Sequence, residues 1–241
     1  MIFYFIRHGD PIYDPDSLTE LGKKQAEALA KRFMLCGLDE IYASTSTRAW
    51  QTAEPTAKAL GKEILPCPWA HESLAAADLW VRRSDGSGTW CFYDEKTREK
   101  FNDPTVRALG EDWHTHPFFK GMRLGDGIAR MKREADGFFI KLGFEHDRDK
   151  AAYKPLNAYT GREKRVALFA HQGMGLAFLS AVLDVPYPLF CTRFDMTHTG
   201  VTVIRFAEDK PVAYPCVLQL SDTSHLYKQD FATGYNNGIN V

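Results

Sequence analysis

Net charge is almost absent from this sequence: its 241 residues carry 30 Lys and Arg against 31 Asp and Glu, a balance of −1. No bulk field draws in nucleic acid or a membrane surface, so any anion binding must come from individual arginines. Cysteine is sparse and unordered. Cys36, Cys67, Cys91, Cys191 and Cys216 are odd in number and show no C-x-x-C spacing, which argues against a disulfide framework and for a reduced, cytoplasmic compartment. No apolar run approaches the 18 or so residues of a membrane span. The chain opens directly in a short apolar run, so no leader peptide is expected either. Internal repeats and low-complexity segments are missing. The pair His114-x-His116 lacks a Cys or acidic partner at ligand spacing and reads as a surface loop, so no metal and no cofactor are expected. What remains, 44% hydrophobic and 25% charged, is ordinary globular composition. The length suits a single domain, 1–241, of the larger α/β kind with an inserted cap.

Ile2-Phe3-Tyr4-Phe5-Ile6 is a short apolar run of β-branched and aromatic residues and reads as a buried strand. Arg7-His8-Gly9 stands at its carboxyl edge. An Asp- and Pro-rich loop over 10–16 follows, and then a helix with apolar positions at Leu18, Leu21, Gln25, Ala26, Leu29, Ala30 and Phe33. Ser17 and Thr19 are both candidate caps for it, and Cys36-Gly37 ends it. A strand over 40–43, a polar turn over 44–48, a helix over 49–60 and a strand over 63–66 come next. Pro55 is expected to kink or split that helix. Residues 70–135 are irregular and read as the cap, with a helix within 122–142. Residues 147–164 read as a loop, and Arg165–Ala170 as a second buried strand that runs straight into His171-Gln172-Gly173 and an apolar helix. Two strands, 200–206 and 213–220, flank a turn at Asp209-Lys210-Pro211. The tail from Asn236 is expected to fray.

Buried strand, histidine, glycine, helix or turn: the pattern occurs twice, at His8 and at His171. Parallel strands in one sheet bring both imidazoles to one edge, where open α/β sheets bind ligands. The turn before Arg48 delivers a second guanidinium beside Arg7. Two planar, forked cations and two imidazoles suit a dianion, and the helix after Gly173 adds N–H groups and the positive end of its dipole.

These residues resemble a known family. Arg7-His8-Gly9, Leu18-Thr19-x-x-Gly22-x-x-Gln25-Ala26, Ser44-x-x-x-Arg48-Ala49-x-Gln51-Thr52-Ala53 and His171-x-Gly173 fall in the order of the histidine phosphatase superfamily, the phosphoglycerate-mutase-like group, in its branch 1. The resemblance implies a three-layer α/β fold with a mostly parallel sheet, helices on both faces and an inserted cap. It implies that His8 is the nucleophile of phosphomonoester hydrolysis and forms a phosphohistidine, and that Arg7, Arg48, His171 and Gln172 hold the phosphoryl group. His171 is also counted with the catalytic residues. Glu72 occupies the family's proton-donor place, with Asp78 as runner-up. Asp14 stands where many members have asparagine and, with Arg82 and His198, is a candidate substrate contact; Trp80, Arg83 and Arg123 are further candidates from the cap. The partner implied is a small phosphorylated substrate, with no nucleic acid and no membrane. A phosphoglycerate-type mutase and a non-catalytic phospho-ligand-binding module are the alternatives. In chemical terms, imidazole attacks phosphorus only when its attacking nitrogen is unprotonated, and a bond from the other nitrogen to a carbonyl fixes that tautomer.

Overall fold

A computed structural model describes residues 1–83, 85–227, 233 and 235 of the chain; the tail from Asn236 lies outside these residues. Strand β1, Ile2–Arg7, is buried along its whole length. Its side chains alternate, so Ile2, Tyr4 and Ile6 join one apolar cluster while Phe3 and Phe5 join another. The expected loop over 10–16 is in fact a small antiparallel hairpin, β2 (Pro11–Tyr13) and β3 (Asp16–Leu18). Helix α1 (Glu20–Cys36) is capped by Thr19, not Ser17: the Gly22 N–H donates to Thr19 Oγ1 at 3.0 Å.

β4 (Glu40–Ser44) leads into α2 (Thr47–Leu60), and β5 (Ile64–Cys67) leads through a tight turn into α3 (Glu72–Leu79). Pro55 does not split α2, which runs unbroken from Thr47. Burial of Ala49, Thr52, Ala53, Thr56 and Ala57 along its inner face offsets the roughly 3 kcal/mol that an interior proline costs.

The cap region brings β6 (Trp80–Arg82) paired with β7 (Gly88–Trp90), then α4 (Glu95–Asn102) and α5 (Pro104–Arg107). α6 (Leu124–Leu142) follows, so a boundary at 135 falls inside a helix whose second half packs Phe138 and Phe139 on Phe3 of β1. One apolar cluster runs from Phe3 through this helix to Trp113, so the cap shares its core with the sheet. The stretch after α6 is more ordered than its polarity suggested: β8 (Phe144–Asp147) pairs with β9 (Ala152–Pro155). β10 (Arg165–Ala170), α7 (Gln172–Val182), α8 (Tyr187–Cys191), β11 (Val201–Arg205) and β12 (Cys216–Asp222) complete the body.

The six-stranded sheet has the order β12-β11-β1-β10-β4-β5. β1, β10, β4 and β5 are parallel neighbours, while β11 runs antiparallel to β1. α1 and α2 cover the face bearing Tyr4 and Ile6; α6 and α7 cover the face bearing Phe3 and Phe5. This is a three-layer α/β sandwich with a mostly parallel sheet. Among the described residues no helix is long and apolar enough to cross a membrane.

Candidate active site

The register of β1 on β10 sets Arg7 beside Ala170, so the residues that follow, His8 and His171, emerge side by side at the carboxyl edge. The His8 N–H donates to Ala170 O at 2.9 Å, and the two imidazole centroids are 5.2 Å apart. Residues 163 positions apart in sequence meet because their strands are neighbours. β4 ends beside β10 and carries Ser44 and Ser46 to the same edge, with Arg48 one residue into α2. β5 delivers Glu72 at the first position of α3.

His8 is nearly inaccessible, and its Nδ1 lies 2.7 Å from Gly9 O. That carbonyl only accepts, so Nδ1 carries the proton and Nε2 is the unprotonated nitrogen. Burial, reinforced by His171, Arg7 and Arg48, drives the imidazole well below its usual pKa. The loop that holds it is pinned by the polar residues of the sequence blocks. Gly9 N donates to Thr52 Oγ1 (2.9 Å), Asp10 N to Gln25 Oε1 (2.8 Å) and Leu18 N to Gln51 Oε1 (2.8 Å). Gly9 and Gly22 are required where loop and helix touch: a Cβ on Gly9 would sit 2.8 Å from Gly22 O.

Arg48 is gripped at both ends. Its Nη1 donates to Asp16 Oδ1 at 2.7 Å and its Nη2 to His171 Nδ1 at 3.1 Å. Asp16 also accepts the Thr47 N–H at 2.8 Å, at the start of α2. His171, accepting at Nδ1, is protonated at Nε2 and donates to Ser44 Oγ at 2.8 Å, with Ser46 Oγ at 3.2 Å. Burial, then Arg48, His71 and Arg7, lowers its pKa well below the ordinary value. His171 is wholly buried. Arg7 Nη1 donates to Met196 O at 2.7 Å.

The Glu72 carboxylate sits on the amino end of α7, where Gly173 N donates to Oε1 at 3.1 Å and Met174 N to Oε2 at 3.2 Å. Those bonds and the two arginines favour the ionised form, yet burial prevails and the pKa is raised. A cavity of about 480 Å³ is lined by Arg7, His8, Arg48, Glu72 and Gln172, and by His71, Tyr13 and Trp80, Trp90 and Tyr93 from the cap. Gln172 Nε2 donates to Asp195, and the Tyr93 hydroxyl donates to Gln172 Oε1 at 3.1 Å.

Other candidates stand elsewhere. Asp78 does not line this cavity: it is buried between Arg123 (2.8 Å) and Arg130 (2.9 Å). Asp14 occupies an exposed turn beyond β2. Arg82, Arg83 and Arg123 line a neighbouring cavity of about 900 Å³ that shares Trp80 and Tyr93 with the first. His198 packs behind His8, ring centroids 5.7 Å apart, with Nδ1 3.5 Å from Asp10, and burial together with Arg7 pushes it down to about 3. His114 packs against Trp113, and His116 accepts the Phe118 N–H at 3.2 Å. Among the described residues no cluster of His, Cys, Asp or Glu is arranged to hold a metal.

Asp16, His71 and Tyr13 are residues of the site that sequence reasoning missed. Asp16 has no local signature, because its partner lies 32 positions away. His71 adjoins Glu72 and was visible as its neighbour, but its place on the wall depends on the bend between β5 and α3.

No curated protein matches the sequence significantly. Residues 3–73 match the model of the histidine phosphatase superfamily (branch 1). Among solved structures, phosphoserine phosphatase from Entamoeba histolytica in complex with 3-phosphoglyceric acid aligns with a TM-score of 0.58 at 19% identity, over 93% of this chain and 98% of that one. A mycobacterial glucosyl-3-phosphoglycerate phosphatase in complex with VO3 aligns with a TM-score of 0.57 at 18% identity, over 91% of this chain and 98% of that one. At these identities the structural likeness is one of fold. The match to branch 1 of the histidine phosphatase superfamily thus covers the segment from β1 to the start of α3, which carries Arg7, His8, Arg48 and Glu72.

Proposed function

We propose that the chain hydrolyses phosphomonoesters through a phosphohistidine on His8. The observation that carries this reading is the juxtaposition in one cavity of a neutral imidazole, tautomerically fixed by Gly9 O, with two guanidinium groups and a carboxyl of raised pKa. Each feature answers a need of phosphoryl transfer. The nucleophile must carry its lone pair on the attacking nitrogen, the phosphoryl oxygens need charge around them, and the leaving oxygen needs a proton. The match to a phosphatase superfamily and the folds shared with named phosphatases support the same conclusion.

In the first step His8 Nε2 forms a bond to phosphorus as the bond to the ester oxygen breaks. Glu72 gives its proton to that oxygen, and the alcohol leaves. In the second step Glu72, now ionised, takes a proton from water, whose oxygen attacks phosphorus. The P–N bond breaks, its electron pair returns to Nε2, and inorganic phosphate departs. Arg7 and Arg48 hold the phosphoryl oxygens through both steps, with His171 and Asp16 fixing the angle of the Arg48 fork. The substrate is a small phosphorylated molecule.

The test is a rapid quench with a ³²P-labelled phosphomonoester. Acid-labile label on the protein, together with release of inorganic phosphate, is the expected result, and both disappear in His8→Ala. Label that moves to a second hydroxyl in place of water would make the chain a mutase. Binding of phosphate with neither label nor turnover would make it a binding module.

A further inference from the structure

We infer that the cavity selects phosphomonoesters of uncharged, aromatic alcohols. The inference rests on the phosphatase reading above and concerns the half of the cavity that reading leaves unused.

The cationic side chains of the lining are Arg7 and Arg48, both committed to the phosphoryl end. Among the described lining residues no third Lys or Arg stands where a carboxylate or second phosphate on the leaving group would lie. Arg82, Arg83 and Arg123 line the neighbouring cavity instead. An ionised group drawn out of water without a partner is strongly disfavoured. Four of the lining residues are aromatic: Tyr13, Trp80, Trp90 and Tyr93.

The three rings from the cap, Trp80, Trp90 and Tyr93, are held in place before anything binds, whereas Tyr13 lies against the Arg48 guanidinium, 5.4 Å from ring centre to cation. Trp80 and Trp90 are directly opposed on β6 and β7, with centroids 6.3 Å apart at 70°. Trp90 stacks on Phe92 at 5.4 Å and covers Gly173, where a Cβ would come within 2.6 Å of the indole. Trp80 lies over Gly88, at a comparable 2.7 Å, and Tyr93 is anchored to Gln172. Ordering them on binding therefore costs little entropy. Yet Trp80 remains 52% exposed, an unusually bare indole at the rim of a polar site. An aromatic leaving group covers that surface and meets the rings edge-to-face or offset, an arrangement that is worth up to about tenfold in affinity for each good pair.

The experiment compares kcat/KM for benzyl phosphate, O-phosphoserine, 3-phosphoglycerate and cyclohexylmethyl phosphate, all alkyl esters, on wild type, Trp80→Ala and Trp80→Phe. Benzyl phosphate is expected to exceed each of the other three by about tenfold or more. Trp80→Ala is expected to cut the ratio of benzyl phosphate to O-phosphoserine by about tenfold, mainly through KM, and Trp80→Phe to restore most of it. Equal or better turnover of either carboxylate-bearing ester, or parity between benzyl and cyclohexylmethyl phosphate, overturns the inference. A protein inert toward all four esters would sink the hydrolytic reading instead. Calorimetric binding of benzylphosphonate against phosphonoacetate then still decides the preference, and equal or tighter binding of phosphonoacetate overturns it.

Discussion

The floor of the cavity is assembled from the carboxyl ends of four parallel strands, whereas its rim hangs on two small hairpins, β2–β3 and β6–β7. Floor residues are buried or half-buried and held by polar bonds: Arg48 between Asp16 and His171, Glu72 on two backbone N–H groups, His8 on Gly9 O. Rim residues are large, aromatic and partly bare, Tyr13 at 67% and Trp80 at 52% exposure. A strand register cannot slip by one residue without turning a whole buried face outward, so the floor is locked by the sheet itself. A hairpin of three-residue strands carries no such penalty. The family match ends at residue 73, just after Glu72; it includes the first rim hairpin, β2–β3, but stops before the second, β6–β7. The floor and the rim are thus parts of the molecule under different structural constraints.

Four changes sharpen that division. His8→Ala removes the imidazole that we propose as the nucleophile and should lower kcat by at least about 10⁴-fold for every ester, with an unchanged circular dichroism spectrum. A residual rate near wild type would show that the floor is not the reaction centre. Glu72→Gln should cost about 10²- to 10⁴-fold with alkyl esters and much less with 4-nitrophenyl phosphate, whose leaving group needs no proton. It should also reshape the pH profile. In wild type, kcat/KM should fall as pH rises through the raised pKa of Glu72, and fall as pH drops through the lowered pKa of His8. Glu72→Gln should abolish the upper limb alone; an unaltered profile would point to another acid.

Asp16→Asn keeps the shape of the floor but removes the charge facing Arg48, and should weaken inhibition by vanadate by about tenfold. Unchanged inhibition would mean that His171 suffices to aim the guanidinium. The smallest effect is expected far from the site. His146, wholly buried in its side chain, lies between Asp136 (2.9 Å) and Asp184 (2.7 Å) and ties α6 to the end of α7. Burial opposes its protonation, but the two carboxylates win and its pKa is raised. Its contribution to stability is complete below the unfolded value near 6.5 and is lost as pH rises through the folded value. Tm should therefore decline across that window by roughly a few degrees, and His146→Gln should erase the slope while leaving kcat/KM alone.

The floor was legible in the sequence because strand ends are local. Two short buried strands, Ile2–Arg7 and Arg165–Ala170, each lead straight into a histidine with a glycine nearby, and the blocks around Gln25, Gln51 and Thr52 supply the side chains that bond the His8 loop. The rest escaped because it depends on contacts between distant segments. Asp78 resembles an acid beside a cleft until Arg123 and Arg130 close on it from 45 and 52 positions away. Asp147 and Ala152 fall in the stretch that reads as a loop but pair across β8 and β9, whose strands are too short and polar to show a periodicity. The rim aromatics were visible as a cluster, but nothing in their spacing separates Trp69, packed on Phe138 and Phe178, from Trp80, which stands open.

The position of β10 between β1 and β4 has a consequence for how the protein comes into being. As the chain leaves the ribosome, β1 appears first, but both of its sheet neighbours, β10 and β11, belong to the last third of the sequence. The opening strand must wait, unpaired, until residues 165–170 emerge and slot in beside it, and the loop closure is correspondingly long and slow. Until then Arg7, His8 and Arg48 have been synthesised, yet there is no edge on which to gather them. A chain stopped short of β10 would lack His171 and Gln172 as well as the strand that brings them to the edge.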